Sequence, residues 1–256
     1  MSGRTVAIIQ ARMGSTRLPG KVLRTLGNRS VLAHVIGRVR ACALIDATVV
    51  ATTTSRTDDP VAAEAGAHGA AVFRGSEEDV LSRYLDAANE ADATNIVRIT
   101  SDCPLVDSEI LCRMVALFIE KSDASTKLDY LSNSLGRTTF PRGLDVEVFS
   151  REALSRANAL AKDAWDREHV TPYIYSHPEQ FRLEGFQQDV DQSKYRLTLD
   201  TEEDWALLAA IYETLGTGGK AFSTREVIDF LRVHPELVAL NSKVVQKQRA
   251  PALRNG

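Results

Sequence analysis

Between Gln10 and Lys21 the chain reads QARMGSTRLPGK, with Arg12, Arg17 and Lys21 placed close around Gly14, Ser15 and Thr16. Backbone N–H groups in such a loop can cradle an anion, and Gly14, which can adopt positive φ, lets the main chain come close to it. Arginine offers a planar fork to phosphate oxygens, and lysine a mobile point charge. The segment therefore reads as a phosphate-binding loop. A Walker loop needs four residues between its glycines and Ser or Thr after the lysine. Here five residues separate Gly14 from Gly20 and Val22 follows Lys21. The GxGxxG fingerprint of dinucleotide sites is also absent.

Two aspartates are the candidate partners of that loop. Asp102 follows the apolar run Asn95–Thr100, and Asp200 follows Tyr195–Leu199. Mg²⁺ takes hard oxygen ligands, often one or two carboxylates completed by substrate phosphates. Asp102 and Asp200, at the ends of two neighbouring strands, would suit it. For Asp200 a helix cap competes with that role, although Thr201 with Asp204 already forms a box-like cap. Asp107 reads as the N-cap of the helix that follows it. Farther along, FPRGLDVEVF contains Arg142, Asp145 and Glu147, and REHVTPYIY contains Arg167, His169 and Tyr173. Alternation puts Asp145 and Glu147 on one side of a strand, where acids need partners or a function; Arg142, Arg167 and Lys162 are the candidate partners. A four-residue spacing puts His169 and Tyr173 on one helical face.

The elements that must position these residues alternate. Thr5–Gln10, Ala47–Thr52, Ala70–Phe73 and Asn95–Thr100 have strand character. Val31–Cys42, Asp58–Ala65, Glu77–Ala91 and Asp107–Glu120 have helical character. That rhythm implies an α/β fold with a parallel sheet, and ligands in such sheets bind beyond the carboxyl ends of the strands. After about residue 125 the rhythm loosens. Strands are expected at Leu128–Asn133, Leu144–Phe149, Gln180–Phe186 and Tyr195–Leu199. Helices are expected at Arg151–Leu160, Trp165–Ser176, Thr201–Leu215 and Thr224–Val233. Residues 1–242 read as a single domain, and 243–256 as a basic, loosely held tail.

The 256 residues carry a formal net charge of −3, so no global positive field recruits nucleic acid. No apolar run reaches the roughly 20 residues needed to span a bilayer. The first strand begins too early to leave room for a signal peptide, so a cytoplasmic protein is expected. Cys42, Cys103 and Cys112 are odd in number and lack a CxxC pair, which suggests neither a disulfide framework nor a zinc site. Cys103 is expected to be a buried thiol.

QARMGSTRLPGKVL, RGSEEDVLSRY, RITSDCPLVD, FPRGLDVEVF, REHVTPYIY and YRLTLDTEEDW occur in this order over roughly residues 6–205. Together they resemble the cytidylyltransferases that make CMP-activated acidic sugars, above all the spore coat polysaccharide (SpsF-type) branch. The resemblance implies a nucleotide-diphospho-sugar transferase, GT-A-like fold: a Rossmann-like mixed sheet with helices on both faces. It also implies CTP as substrate, Mg²⁺ on Asp102 and Asp200, an acceptor pocket in the second half, and a homodimer. On that reading Ala11, Arg12, Met13, Gly14, Ser15, Arg17, Lys21 and Ser101 contact the nucleotide. Lys21, Arg12, Arg17 and Asp102 are catalytic, and Arg142, Asp145, Glu147, His169 and Tyr173 touch the acceptor. Two other readings remain. One is a glycosyltransferase on the same fold, although Asp102-Cys103-Pro104 lacks the Asp-x-Asp pair common there. The other is a non-catalytic nucleotide-binding module.

Overall fold

The computed structural model describes residues 3–122, 127–219 and 221–245. Its strands are β1 (Thr5–Gln10), β2 (Thr25–Leu26), β3 (Arg29–Ser30), β4 (Ala47–Thr53), β5 (Ala71–Gly75), β6 (Asn95–Thr100), β7 (Tyr130–Ser132), β8 (Glu147–Ser150) and β9 (Leu183–Gly185). The helices are α1 (Val31–Arg40), α2 (Asp59–Ala67), α3 (Val80–Glu90), α4 (Ser108–Ser122), α5 (Arg151–Leu160), α6 (Ala164–His169), α7 (Pro172–Tyr175), α8 (Glu202–Leu215), α9 (Thr224–Val233) and α10 (Pro235–Leu240). The expected tail from Lys243 lies, from residue 246 on, outside the described residues.

The main sheet runs in the order β5-β4-β1-β6-β8-β7-β9. The first four of these strands are mutually parallel, whereas β8 is antiparallel to both β6 and β7. The sheet is thus mixed, as expected. β1 is apolar along nearly its whole length because both its faces are covered. Its side chains alternate between two cores. Ala7 and Ile9 join Val35, Val39, Met114 and Phe118 from α1 and α4. Val6 and Ile8 join Leu81, Tyr84 and Leu154 from α3 and α5.

A third core fixes the loops. Leu18 of the phosphate loop is 2% exposed and packs with Leu105, Leu197, Leu199 and the inner faces of α8 and α9. Burying a leucine contributes about 1.5–3 kcal/mol, so this contact holds the loop against the segment that leads to Asp200.

Three expectations are corrected. Tyr195–Leu199 is not a sheet strand. It runs extended beside residues 142–143 through a single bridge, with Arg142 N–H donating to Tyr195 O at 3.0 Å and Leu197 N–H to Arg142 O at 2.7 Å. The helix expected at Trp165–Ser176 is two short helices, because Val170 between them has φ 75° and Thr171 N–H bonds back to His169 O at 2.9 Å. That is the rare, strained γ-turn, and Pro172 starts the next helix. Cys42 and Cys112 form a disulfide, with Cα atoms 5.4 Å apart, that ties the end of α1 to α4. Residues 70 apart in sequence meet there because α1 and α4 share one face of the sheet, which spacing alone does not reveal. In the phosphate loop the positive φ open to glycine is used by Gly20, at 66°, and not by Gly14; there the loop turns into the 3-10 turn Lys21–Leu23.

Gly143 is the glycine that the site cannot replace. Its φ is 97°, and a Cβ there would lie 2.5 Å from the backbone C of Leu197 and N of Thr198. Gly143→Ala combines backbone strain with a clash against main chain, so it should destabilise the protein by about 2–5 kcal/mol in urea denaturation. A loss below about 0.5 kcal/mol, the range of neutral surface changes, would show that this crossing yields easily.

Candidate active site

The carboxyl ends of β1 and β6 open into a cleft of about 730 Å³. Its lining includes Ala11, Arg12, Gly14, Ser15, Arg17, Lys21, Ser101, Asp102, Arg142, Asp145, Glu147, His169 and Asp200. All but two of the sequence-derived candidates are therefore brought together. Met13 does not line the cleft; its N–H donates to the buried carboxylate of Asp58 at 2.7 Å and so pins the loop. Tyr173 also turns away, stacking on His177 at 4.1 Å and on the edge of Phe181. The break at Val170 separates it from His169, so the expected shared helical face does not form.

The phosphate loop offers fewer free amides than its sequence suggests. Ser15 and Gly20 N–H bond to Met13 O, Lys21 N–H to Leu18 O, and Leu18 N–H to Ser15 Oγ. Among the described residues, the N–H groups of Arg12, Gly14, Thr16 and Arg17 remain without a protein partner.

At the foot of the loop lies an ion cluster. Lys21 Nζ donates to Asp102 Oδ2 and Asp200 Oδ1, each at 2.9 Å, and to Leu199 O at 2.6 Å. Asp200 Oδ2 meets Arg17 at 3.1 Å and Arg196 at 2.9 Å. Burial alone would lower the pKa of Lys21, but the attraction of Asp102 and then of Asp200 outweighs it and leaves the pKa raised. Burial would likewise raise Asp200, yet Lys21 and Arg17 bring it below the ordinary range. Both groups are held charged.

The backbone fixes this cluster from behind. Leu199 N–H and Thr198 Oγ1 both donate to Asp102 O, at 2.8 and 3.2 Å. These bonds place Asp102 and Asp200 side by side although only Asp102 follows a sheet strand. Asp204, fully buried, accepts Asp200 N–H at 2.9 Å and Arg196 Nε at 2.8 Å. It also completes the capping box of α8 with Thr201, as expected. Asp200 is accordingly not the cap.

Asp107, the expected N-cap, accepts N–H bonds from Glu109 and Ile110 and a third from Thr224 at the start of α9, at 3.0 Å. Cys103 is a free, buried thiol, with a pKa raised by burial and then by Asp102 and Asp145.

The far half of the cleft is organised by Glu147. Arg98, on β6, forms its ion pair, and Tyr130 and Thr171 hydroxyls donate to its other oxygen. Its partner is thus Arg98 and not Arg142, Arg167 or Lys162. Arg167 pairs with Asp79 and Lys162 reaches Ala159 O. With both oxygens engaged, Glu147 supports the wall. Asp145 differs: among the described residues, Gly143 N–H, at 2.9 Å, is its one hydrogen bond. Burial raises its pKa, opposed by that N–H and by Arg142 and reinforced by Glu147 and Asp102. The His169 ring lies against Trp165, with centroids 3.9 Å apart and the planes tilted by 51°.

Sequence reasoning missed Arg83, Arg98, Trp165 and Thr171, which also line the cleft. A signal existed for Arg98: a cation inside the otherwise apolar strand NIVRIT demands a buried partner. Nothing local marks Trp165 or Thr171.

The fold is that of a nucleotidyltransferase. The chain belongs to the cytidylyltransferase family, whose pattern matches residues 6–243. It is 38% identical over 238 residues to the spore coat polysaccharide biosynthesis protein SpsF of Bacillus subtilis, covering 90% of this chain and 94% of that one. It is 28% identical over 187 residues to a 3-deoxy-manno-octulosonate cytidylyltransferase of Geobacter metallireducens, covering 68% and 72%. A solved cytidylyltransferase of Leptospira borgpetersenii superposes with a TM-score of 0.86 at 35% identity, covering 96% of this chain and all of that one.

The Asp107 contacts give a pH test. Burial would raise its pKa, but the bonds from Thr224 and from the start of α4 leave it lowered. Its contribution is therefore complete above the unfolded value near 3.8 and is lost as the pH falls through the lower folded value. Asp107→Ala should be less stable than the parent by about 1–2 kcal/mol at pH 7, and the gap should narrow below the unfolded pKa. A gap that is constant from pH 7 to pH 3 would refute the ionic part.

Proposed function

We propose that this protein transfers CMP from CTP to an acidic sugar or related small metabolite, releasing pyrophosphate, in the synthesis of a surface polysaccharide or glycoconjugate. The reading rests on one observation above the others. The two aspartates meet at Lys21, at the foot of a cationic loop that still has four unpartnered amides.

Among the described residues, no group of three or more His, Cys, Asp or Glu side chains forms a metal cage. Asp102 Oδ2, Asp200 Oδ1 and Leu199 O nevertheless converge on one cation position. That all-oxygen set fits Mg²⁺, which takes few protein ligands when phosphates complete its shell. Asp102 and Asp200 would hold it, and it would offset the charge that grows on the leaving pyrophosphate.

The residues supply the rest. The free amides of Arg12, Gly14, Thr16 and Arg17 bind phosphate oxygens, and the Arg12, Arg17 and Lys21 side chains balance their charge. Gly14 leaves the approach open, and Ser15 closes the turn. Ala11 and Ser101 border the nucleoside, with Ser101 held by its N–H bond to Gln10 O. Arg142, exposed, is the cation that suits an acceptor carboxylate, and His169 lines the same cleft. Asp145, with one free oxygen and a raised pKa, accepts the proton if the acceptor attacks through a hydroxyl. Positioning and charge stabilisation are the main contributions expected in such transfers.

We further place the protein in the cytoplasm, where CTP is made; no described helix is long and apolar enough to cross a membrane. There the Cys42–Cys112 pair would exchange with the cellular thiol pool. From the family resemblance we infer a homodimer, testable by light scattering, and from the formal net charge of −3 we infer no nucleic-acid partner.

Pyrophosphate release should appear with CTP, Mg²⁺ and one member of a panel of sugar acids, sugar phosphates and phosphonates. Silence across all four NTPs and the whole panel would remove the reading. Asp102→Asn should lower kcat at least about a hundredfold with an unchanged circular dichroism spectrum; retained activity would remove Asp102 from the reaction.

A further inference from the structure

An ammonium group has three protons, and Lys21 spends all three inside the protein, on Asp102, Asp200 and Leu199 O. None is left for a phosphate. The second oxygen of Asp200 is likewise taken, by Arg17 and Arg196. Counting formal charges, Lys21, Arg17 and Arg196 balance Asp102, Asp200 and Asp204. The cluster is neutral as it stands. A divalent cation arriving alone would need the oxygens that Lys21 holds and would add two positive charges to a balanced, largely buried site. That is unfavourable on both counts.

A triphosphate changes the balance. Bound to the free amides of the loop, it would bring several anionic oxygens to the same end of the cleft. Lysine has a long, flexible stem and binds as a point charge, so it can leave one set of oxygens for another without moving the backbone. Lys21 begins the 3-10 turn directly after Gly20, and its own N–H is anchored to Leu18 O. The side chain can therefore swing while its Cα stays fixed.

We propose that Lys21 is the resident cation of the Asp102–Asp200 pair in the free protein, and that it yields the pair to a divalent cation only when a triphosphate takes up its charge. This rests on the reading of Asp102 and Asp200 as the metal pair. The exchange makes metal and nucleotide binding mutually dependent: each raises the affinity for the other by the same factor. It keeps the site closed to free divalent ions and gives Lys21 two successive partners, first the carboxylates and then the phosphates.

The test is Mn²⁺ binding, followed by the loss of the free Mn²⁺ signal in electron paramagnetic resonance, with and without non-hydrolysable α,β-methylene-CTP. Without nucleotide, Lys21→Met should bind Mn²⁺ at least about tenfold more tightly than the parent. Lys21→Arg, which keeps a cation between the carboxylates, should stay as closed as the parent. Thermal melting of each variant with and without Mn²⁺ gives a second readout, with Lys21→Met alone stabilised by the ion. If the parent binds Mn²⁺ without nucleotide as tightly as Lys21→Met does, Lys21 is not the resident cation. The outcome for the metal pair is separate. Adding Asp102→Asn should abolish the tight binding of Lys21→Met and weaken nucleotide-dependent binding in the parent. If it changes neither, the metal-pair reading itself fails.

Discussion

The ion cluster at Lys21 is the contact on which the site depends, because it joins three stretches of chain with no sequence proximity. The loop after β1 brings Lys21 and Arg17, the turn after β6 brings Asp102, and the extended segment before α8 brings Arg196 and Asp200. Such an assembly of charges at low exposure is stable only when every member has a partner. Each carboxylate here has one, and Asp204, fully buried, satisfies the two backbone amides that would otherwise leave Asp200 free to turn.

Apolar packing makes that arrangement possible. The cluster stands on the core of Leu18, Leu105, Leu197 and Leu199, which holds the three stretches at a fixed spacing. Backbone bonds then refine it: Leu199 N–H to Asp102 O replaces the sheet ladder that the Tyr195–Leu199 segment does not join. The division of labour is a general one. Apolar contact supplies most of the free energy, and hydrogen bonds fix orientation at a small net gain each.

The two halves of the cleft differ in how much their charges are already committed. In the far half, Glu147 is saturated by Arg98, Tyr130 and Thr171, so it gives that wall rigidity and carries no free acceptor oxygen. Asp145 keeps one oxygen open, and the Arg142 side chain acts on it through its charge, with no hydrogen bond or ion pair of its own among the described residues. Discrimination between acceptors would then fall to a few side chains around a rigid frame, which suits a family whose members share a fold and differ in substrate.

Much of this was legible in the sequence. The first four main-sheet strands and the helices between them follow from apolar periodicity, which acts locally and shows directly in residue order. The phosphate loop, the paired aspartates and the caps at Asp107 and Thr201 are short motifs whose chemistry is carried by neighbours in sequence. Tertiary structure decided the rest. The Cys42–Cys112 bridge, the Arg98–Glu147 pair and the turning of Tyr173 into the core each depend on residues that meet only after the sheet has formed. The same holds for Lys21. Its type and place announced a phosphate ligand, but only the packed loops show that its first partners are the two carboxylates, because charge pairing across 81 and 179 residues of chain is set by distance in space.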